Sequence, residues 1–349
     1  MVLPRKTLTA PSAGHTVPHS GSLSRSLTYE DYTVGWICAL PIEMAAAKGM
    51  LDEVHVDLPA NPSDDNAYIL GRMCSHNIVI ACLPTGVIGP VPAVTVATHM
   101  LTTFPSIRFS LMVGIGGGVP SQADIRLGDV VVAKPSKDHG GVVQYGFPET
   151  KRECTLEKIG MLNKPPRILL TALSKLQAIH LVTGNRIQCL LSEIETKYPL
   201  LAATLRPPYQ DRLFRSDYRH PIQSDKACNA CDVTQLQPRT PRHGKTPTSP
   251  HIHYGLIASG NQVVKDSRIR DHLARQSEIL CFEMEAAGLL DNFPCLVIRG
   301  IADYADSHKN DAWQGYAAAT AAAYAKELLW VIPTQEVEDE PLAMGVYSK

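Results

Sequence analysis

Apolar residues fall in short runs along this chain, and the runs alternate in kind. "TVGWICAL" is strand-like, whereas "LPIEMAAAKGML" after it is rich in Ala, Met and Leu and carries a proline suited to the first turn of a helix. "AYILGRM" and "NIVIACLP" predict a pair of strands, and "PAVTVATHMLTTF" predicts a helix. "RFSLMVGIGGG" reads as a buried strand running into a glycine loop, and "GDVVVAKP" as another strand. Farther on, "HYGLIASG", "EILCFEM" and "CLVIRGIAD" predict strands, while "MEAAGLLDNF" and "GYAAATAAAYAKELLWVI" predict the helices that follow them. Strands alternating with helices imply an α/β architecture around a central, mostly buried sheet.

Three stretches break this pattern. Residues 1–30 are rich in Ser, Thr, Pro and Gly without apolar period, which predicts a disordered lead; the missing amphipathic pattern argues against a mitochondrial transit peptide. From Pro333 onward the chain turns acidic, so residues 333–349 read as a solvated tail and 31–332 as the folded domain. Within that domain, residues 206–250 are Pro-rich, polar and basic, the mark of either a functional lid or a solvated excursion.

Composition narrows the partners. Of 349 residues 44% are hydrophobic, enough for a sizeable core, and 33 basic against 34 acidic side chains leave a formal charge of -1. That balance offers no electrostatic argument for a nucleic-acid or membrane partner, and a small ligand is the default. No apolar run reaches the roughly 18 residues that span a bilayer, and no secretory h-region is present, so a cytoplasmic protein is expected. The nine cysteines sit mostly in apolar stretches and read as small buried hydrophobes in a reducing compartment. Only "CNAC", Cys228 to Cys231, has metal-like spacing, with His220, His243, His251 and His253 as nearby candidate ligands; without a second CxxC, the spacing alone favours a plain loop, and no metal is expected.

Ligands of α/β sheets collect at the carboxyl ends of strands, and four such places carry chemistry. The glycines of "MVGIGGGVP", including Gly114, Gly116 and Gly117, allow close backbone approach and suit a water or an anion, or simply tight packing. Glu43 lies in the first turn of a predicted helix, where an acid also complements the helix dipole. Glu283 and Glu285 interrupt the apolar run "ILCFEMEAAGLL" two residues apart, hence on one face of a strand end, and burying an unpaired charge there would be costly. Asp303 ends the otherwise apolar "CLVIRGIAD" and could act as a general acid.

Taken together, "VGWICALPIE", "GIGGG", "GDVVV", "SGNQVV", "EMEAAG" and "RGIADYAD" resemble the nucleoside phosphorylase/nucleosidase superfamily, especially its fungal-type members, over about residues 33–330. The resemblance implies a three-layer α/β/α domain around a mixed, partly barrel-like sheet, no cofactor, a purine nucleoside or nucleotide as ligand, and a homo-oligomer, a dimer first. It assigns Glu285 and Met284 to the ribose and Asp303 to N7 of the departing purine. It assigns Asn261, Val263 and Val264 to the base, leaving Glu283 to line the pocket or support the backbone. No arginine accompanies the glycine loop as in phosphorylases, whereas Glu43 stands where nucleosidases activate water; hydrolysis of adenosine, guanosine or inosine is therefore expected.

Two positions depart from the bacterial nucleosidase pattern: Ile115 replaces a water-placing hydroxyl, and Val263 replaces an aromatic residue that stacks on adenine. Tyr209, Phe214 or Tyr218 could supply the missing stack. The insertion also carries Arg206, Arg212, Arg215, Arg219, Arg239, Arg242 and Lys245, and Arg215 with Arg219 could clamp a phosphorylated substrate or could be solvated charge. Phosphorolysis, cleavage of a nucleotide such as ATP, and a non-catalytic nucleoside-binding module are the alternatives.

Overall fold

In the computed structural model of the protein, which describes residues 26–146, 162–208, 210–221, 228–242 and 249–345, the central strands close on themselves. The strands are β1 (Val34–Cys38), β2 (Glu53–Val54), β3 (Tyr68–Met73), β4 (His76–Cys82) and β5 (Phe109–Gly118), then β6 (Val130–Ala133), β7 (Val142–Gln144), β8 (Ile252–Ser259), β9 (Ile279–Glu283) and β10 (Cys295–Asp303). Their order is β10-β6-β8-β9-β5-β1-β4-β3-β2, and β10 also pairs with β5. The ring β5-β10-β6-β8-β9 is thus closed, and β1 to β4 extend from it as an open wing. β5 lies parallel to both β1 and β10 but antiparallel to β9, so the sheet is mixed. β10 is buried along its whole length, which is why its sequence is a nearly unbroken apolar run.

The helices are α1 (Pro41–Met50), α2 (Pro90–Thr103), α3 (Arg167–Thr183), α4 (Ile187–Lys197), α5 (Pro199–Leu205), α6 (Ser267–Ser277), α7 (Ala286–Leu290), α8 (Gln314–Trp330) and α9 (Thr334–Asp339). α8 packs on β10 and β5 and also meets α1, α3, α4 and α5, while α2 and α7 pack together elsewhere on the sheet. Alanines dominate α8 because its backbone lies so near the sheet that nearly every face is buried. The expected layered α/β fold with a partly barrel-like sheet is what the chain adopts.

Two local expectations are revised. The glycines after "LMV" continue β5 as strand through Gly118 instead of opening a loop, because Gly114 to Gly117 pair with β10 and Gly117 and Gly118 with β9. Residues after Pro333 do not leave the domain at once. α9 buries Val337 fully, and the Ala343 N–H donates to the Ile107 carbonyl at 2.8 Å. An acidic composition hid this docking, since one buried valine per short helix leaves no visible period.

The insertion is held down largely by its own arginines. Arg239 reaches Asp211 at 2.9 Å and the Ile125 carbonyl at 2.8 Å, and Arg242 donates to both carboxylate oxygens of buried Asp129 at 2.7 and 2.6 Å. Burial opposes ionisation of Asp129, but Arg242 and His253 outweigh it and keep the carboxyl below its ordinary range. Phe214 bridges to Leu236 and packs with Cys228 and Cys231. No helix among the described residues is long and apolar enough to cross a membrane.

Candidate functional site

The carboxyl ends of β1, β9 and β10 meet the glycine-rich part of β5 around one pocket, which the segment after β8 completes. Glu43, Ile115, Gly116, Gly117, Val263, Val264, Met284, Glu285 and Asp303 all line it. Residues separated by more than 250 positions are thereby brought to one concavity. Of the sequence-derived site residues, Asn261, Gly114, Arg215 and Arg219 stand outside the lining.

Glu43 is placed by the start of α1. Its Oε2 accepts hydrogen bonds from the Ala39 and Leu40 N–H groups at 2.7 and 2.9 Å, and its Oε1 accepts from the Ile115 N–H of β5 at 2.8 Å. The side chain is 3% exposed, and burial raises its carboxyl above the ordinary value despite the nearby Arg299 guanidinium and these three N–H donors. Ile115 thus meets Glu43 through its backbone N–H.

Glu283 and Glu285 part company at the end of β9. Glu283 accepts from the backbone N–H groups of Glu285 and Ala286 and pairs with Arg299, so it supports the chain at the start of α7. Glu285 lies 3.7 Å from Arg299, and burial lifts its carboxyl to about 7. Arg299 is 1% exposed, with Glu283, Glu285 and Glu43 all in its field; burial works against its charge, and the carboxylates more than compensate. Sequence reading missed Arg299, although an arginine inside the apolar run "CLVIRGIAD" was a visible signal that a buried acid needed a partner.

Asp303 ends β10. Its Oδ1 accepts from the Ala305 N–H at 2.8 Å, and its Oδ2 accepts from Lys309 Nζ at 2.6 Å. Lys309 lines the pocket and was also missed; burial disfavours its charge, but Asp303 holds its ammonium above the ordinary range. The glycines of β5 make room for these acids. A Cβ at Gly114 would lie 2.5 Å from Glu43 Oε1 and 2.6 Å from Arg299 Nη1, and one at Gly117 would lie 2.8 Å from Asp303 Oδ1.

The aromatic wall comes from residues that periodicity did not single out. Tyr145 and Phe282 line the pocket with ring centroids 5.5 Å apart and planes at 89°, and the Tyr145 hydroxyl donates to the Gln262 carbonyl at 2.7 Å. Phe214 and Tyr218 lie outside the lining; both stack on His308, at 4.2 and 5.3 Å. Tyr209, His243 and Lys245 lie outside the described residues. Arg215 pairs with Asp217 at 3.1 Å and Arg219 with Asp266 at 3.0 Å, both in exposed positions. Arg206 pairs with Glu195, and Arg212 donates to the Cys228 carbonyl.

The phosphorylase superfamily model matches residues 33–329, nearly the whole of this fold. This chain belongs to the phosphorylase superfamily. Among similar proteins, a nucleotide-binding leucine-rich repeat (NLR)-like protein of Hyaloscypha variabilis is 44% identical over 90% of this chain, which spans 30% of that protein. The ATP nucleosidase Cap17 of Escherichia coli is 34% identical over 84% of this chain, which spans half of it. A 5'-methylthioadenosine/S-adenosylhomocysteine nucleosidase of Mycobacterium bovis is 24% identical, with 86% of this chain and 97% of that one aligned. The superfamily fold recurs in the corresponding nucleosidase of Neisseria meningitidis (TM-score 0.53, 16% identity, 85% of this chain and 98% of that one). It recurs also in futalosine hydrolase of Helicobacter pylori (TM-score 0.52, 16% identity, 86% of this chain and 99% of that one).

Proposed function

We propose that this chain is a purine nucleosidase, which hydrolyses the N-glycosidic bond of a ribonucleoside such as adenosine, guanosine or inosine to free base and ribose. The observation that carries this reading is the convergence of Glu43, Glu285 with Met284, and Asp303 on one pocket. Glu43 has one oxygen with a single N–H partner, which leaves it room to accept a proton from the attacking water. Glu285 binds the ribose hydroxyls and stabilises the positive charge that develops on the sugar, with Met284 packed against the ring. Asp303 faces N7 of the base, and the Lys309 ammonium beside it is the adjacent proton donor. Tyr145 and Phe282 provide the aromatic surface that Val263 lacks, beside Val264 and the backbone near Asn261.

Hydrolysis is favoured over phosphorolysis by the sign of the charge in the pocket. Among the described residues its lining carries four carboxyl groups, Glu43, Glu283, Glu285 and Asp303, against the cation of Lys309; the Arg299 guanidinium lies behind Glu283, and burial raises Glu43 and Glu285, but the acids still outnumber the cations. Such a wall repels a phosphate nucleophile and leaves water undisturbed. A second reading, cleavage of a nucleotide, rests on the 34% identity to an ATP nucleosidase. The paired Arg215 and Arg219 support a phosphate clamp only if a substrate draws them from Asp217 and Asp266.

The deciding experiment incubates the protein with a panel of purine nucleosides and nucleotides, with and without phosphate, and separates the products. Free ribose from a phosphate-free reaction is expected. Ribose 1-phosphate formed only with added phosphate would establish phosphorolysis, and ribose triphosphate released from ATP would establish the second reading. A protein that binds nucleosides but releases no base from any of them would be a binding module.

A further inference from the structure

Beside the pocket, the basic insertion gathers side chains whose shared chemistry is metal binding. A ring nitrogen of His220 and the sulfurs of Cys228 and Cys231 all lie within 4.8 Å of one another. Both cysteines are buried and neither is in a disulfide. Their four-residue turn is tight: the Cys231 N–H donates to the Cys228 carbonyl at 3.3 Å, and Cys228 has φ 59°, a left-handed conformation that costs energy outside glycine. CxxC alone favoured a plain loop; of the four histidines the sequence offered, the fold brings His220 to the two sulfurs.

A second observation concerns His308. Its ring is buried, and both ring nitrogens lack a hydrogen bond among the described residues, the nearest carboxylate being Asp306 with Oδ1 3.6 Å from Nδ1. It lies against the same cluster, with its ring centroid 5.5 Å from that of His220 and its carbonyl oxygen 3.6 Å from Cys228 Sγ. Buried imidazole nitrogens without partners are costly, and two histidines bound to one ion have their rings about this far apart. Of the other histidines weighed from sequence, His253 is engaged elsewhere, its ring bonding to Asp129.

We propose that His220, Cys228 and Cys231 bind one zinc(II) ion per chain, with the His308 ring, which stands just outside this three-donor cluster, turning in as the fourth donor. Two sulfurs and two imidazoles in a compact group suit zinc and exclude the oxygen-seeking cations magnesium and calcium. Binding replaces the two thiol protons, which pass to solvent, and neither oxidises nor reduces the site. The ion would pin the insertion to the loop after β10, where the His220 N–H already donates to Ser307 Oγ at 3.0 Å. Since that loop leads from Asp303 to Lys309, zinc would fix the geometry at the pocket edge without taking part in the reaction.

The test measures metal and does not depend on activity. The 349-residue chain produced in zinc-supplemented medium should contain about one zinc per chain, and Cys228→Ser/Cys231→Ser should contain less than about a tenth of that. Cobalt(II) added to chelator-stripped wild-type protein should give sulfur-to-cobalt charge-transfer and intense tetrahedral visible bands, a readout that stands even where the double variant does not fold. His308→Ala should bind cobalt at least about ten-fold more weakly. Wild-type protein with neither zinc nor a thiolate–cobalt spectrum, or with Cys228 and Cys231 joined in a disulfide by mass spectrometry, would overturn the site. Undiminished cobalt affinity in His308→Ala would overturn the fourth donor.

Discussion

Replacing Glu285 by glutamine should flatten the alkaline loss of stability. Glu285 is 6% exposed, and burial raises its carboxyl from 4.5 to about 7. A raised folded value means that the fold favours the protonated form, so the stabilisation is complete below 4.5 and is lost as pH rises through about 7. The separation of the two values corresponds to roughly 3 kcal/mol, of which about 2 kcal/mol should disappear between about pH 5.5 and 8.5. Glutamine keeps the shape and removes the charge, so the variant should lack this increment. Urea unfolding followed by tryptophan fluorescence at both pH values measures it, with the wild-type minus variant difference isolating Glu285 from other titrating groups. If the two proteins lose stability in parallel, burial does not raise the Glu285 carboxyl, and this account of its surroundings is wrong.

The remaining predictions concern the other acids, the strand that seats them and the last helix. Asp303→Asn should lower kcat by about 10²- to 10⁴-fold with nucleoside binding retained, because the acid at the base is lost; steady-state kinetics and calorimetric binding separate the two. Glu43→Gln should cost about 10²-fold or more in kcat, since an amide cannot take the proton of water and would turn a donor toward the N–H groups of Ala39, Leu40 or Ile115. Gly114→Ala should reduce activity comparably through displacement of Glu43 and Arg299, which its Cβ would approach to 2.5 and 2.6 Å, and a structure of the variant would show the shift. Val337→Asp should destabilise the fold by about 2–4 kcal/mol in urea unfolding, because it puts an unpaired charge at a fully buried position; an unchanged midpoint would show that α9 does not matter to stability.

The sequence by itself determined the order of the main strands and of α1, α2, α7 and α8, since buried strands write long apolar runs such as "CLVIRGIAD" and helices write a different period, but it left α3 to α6, α9, β2 and β7 unread. It also marked Glu43, Glu285 and Asp303, because acids at the ends of apolar runs are expensive and therefore conspicuous. What it could not determine was anything that depends on which runs become neighbours. Closure of the ring through β5 and β10 is a long-range pairing with no local signature, and it decides that the glycines of β5 are strand residues making room for two acids. The division between Glu283 and Glu285 likewise depends on Arg299, which reaches them only across the folded sheet. The insertion shows the same limit most plainly. Its arginines have no period to read, and only the tertiary structure turns them into partners of Asp129, Asp211 and Asp266 and brings His220 to Cys228 and Cys231. Local patterns record burial and backbone preference, whereas contacts between distant segments are set by packing and leave no trace in either segment alone.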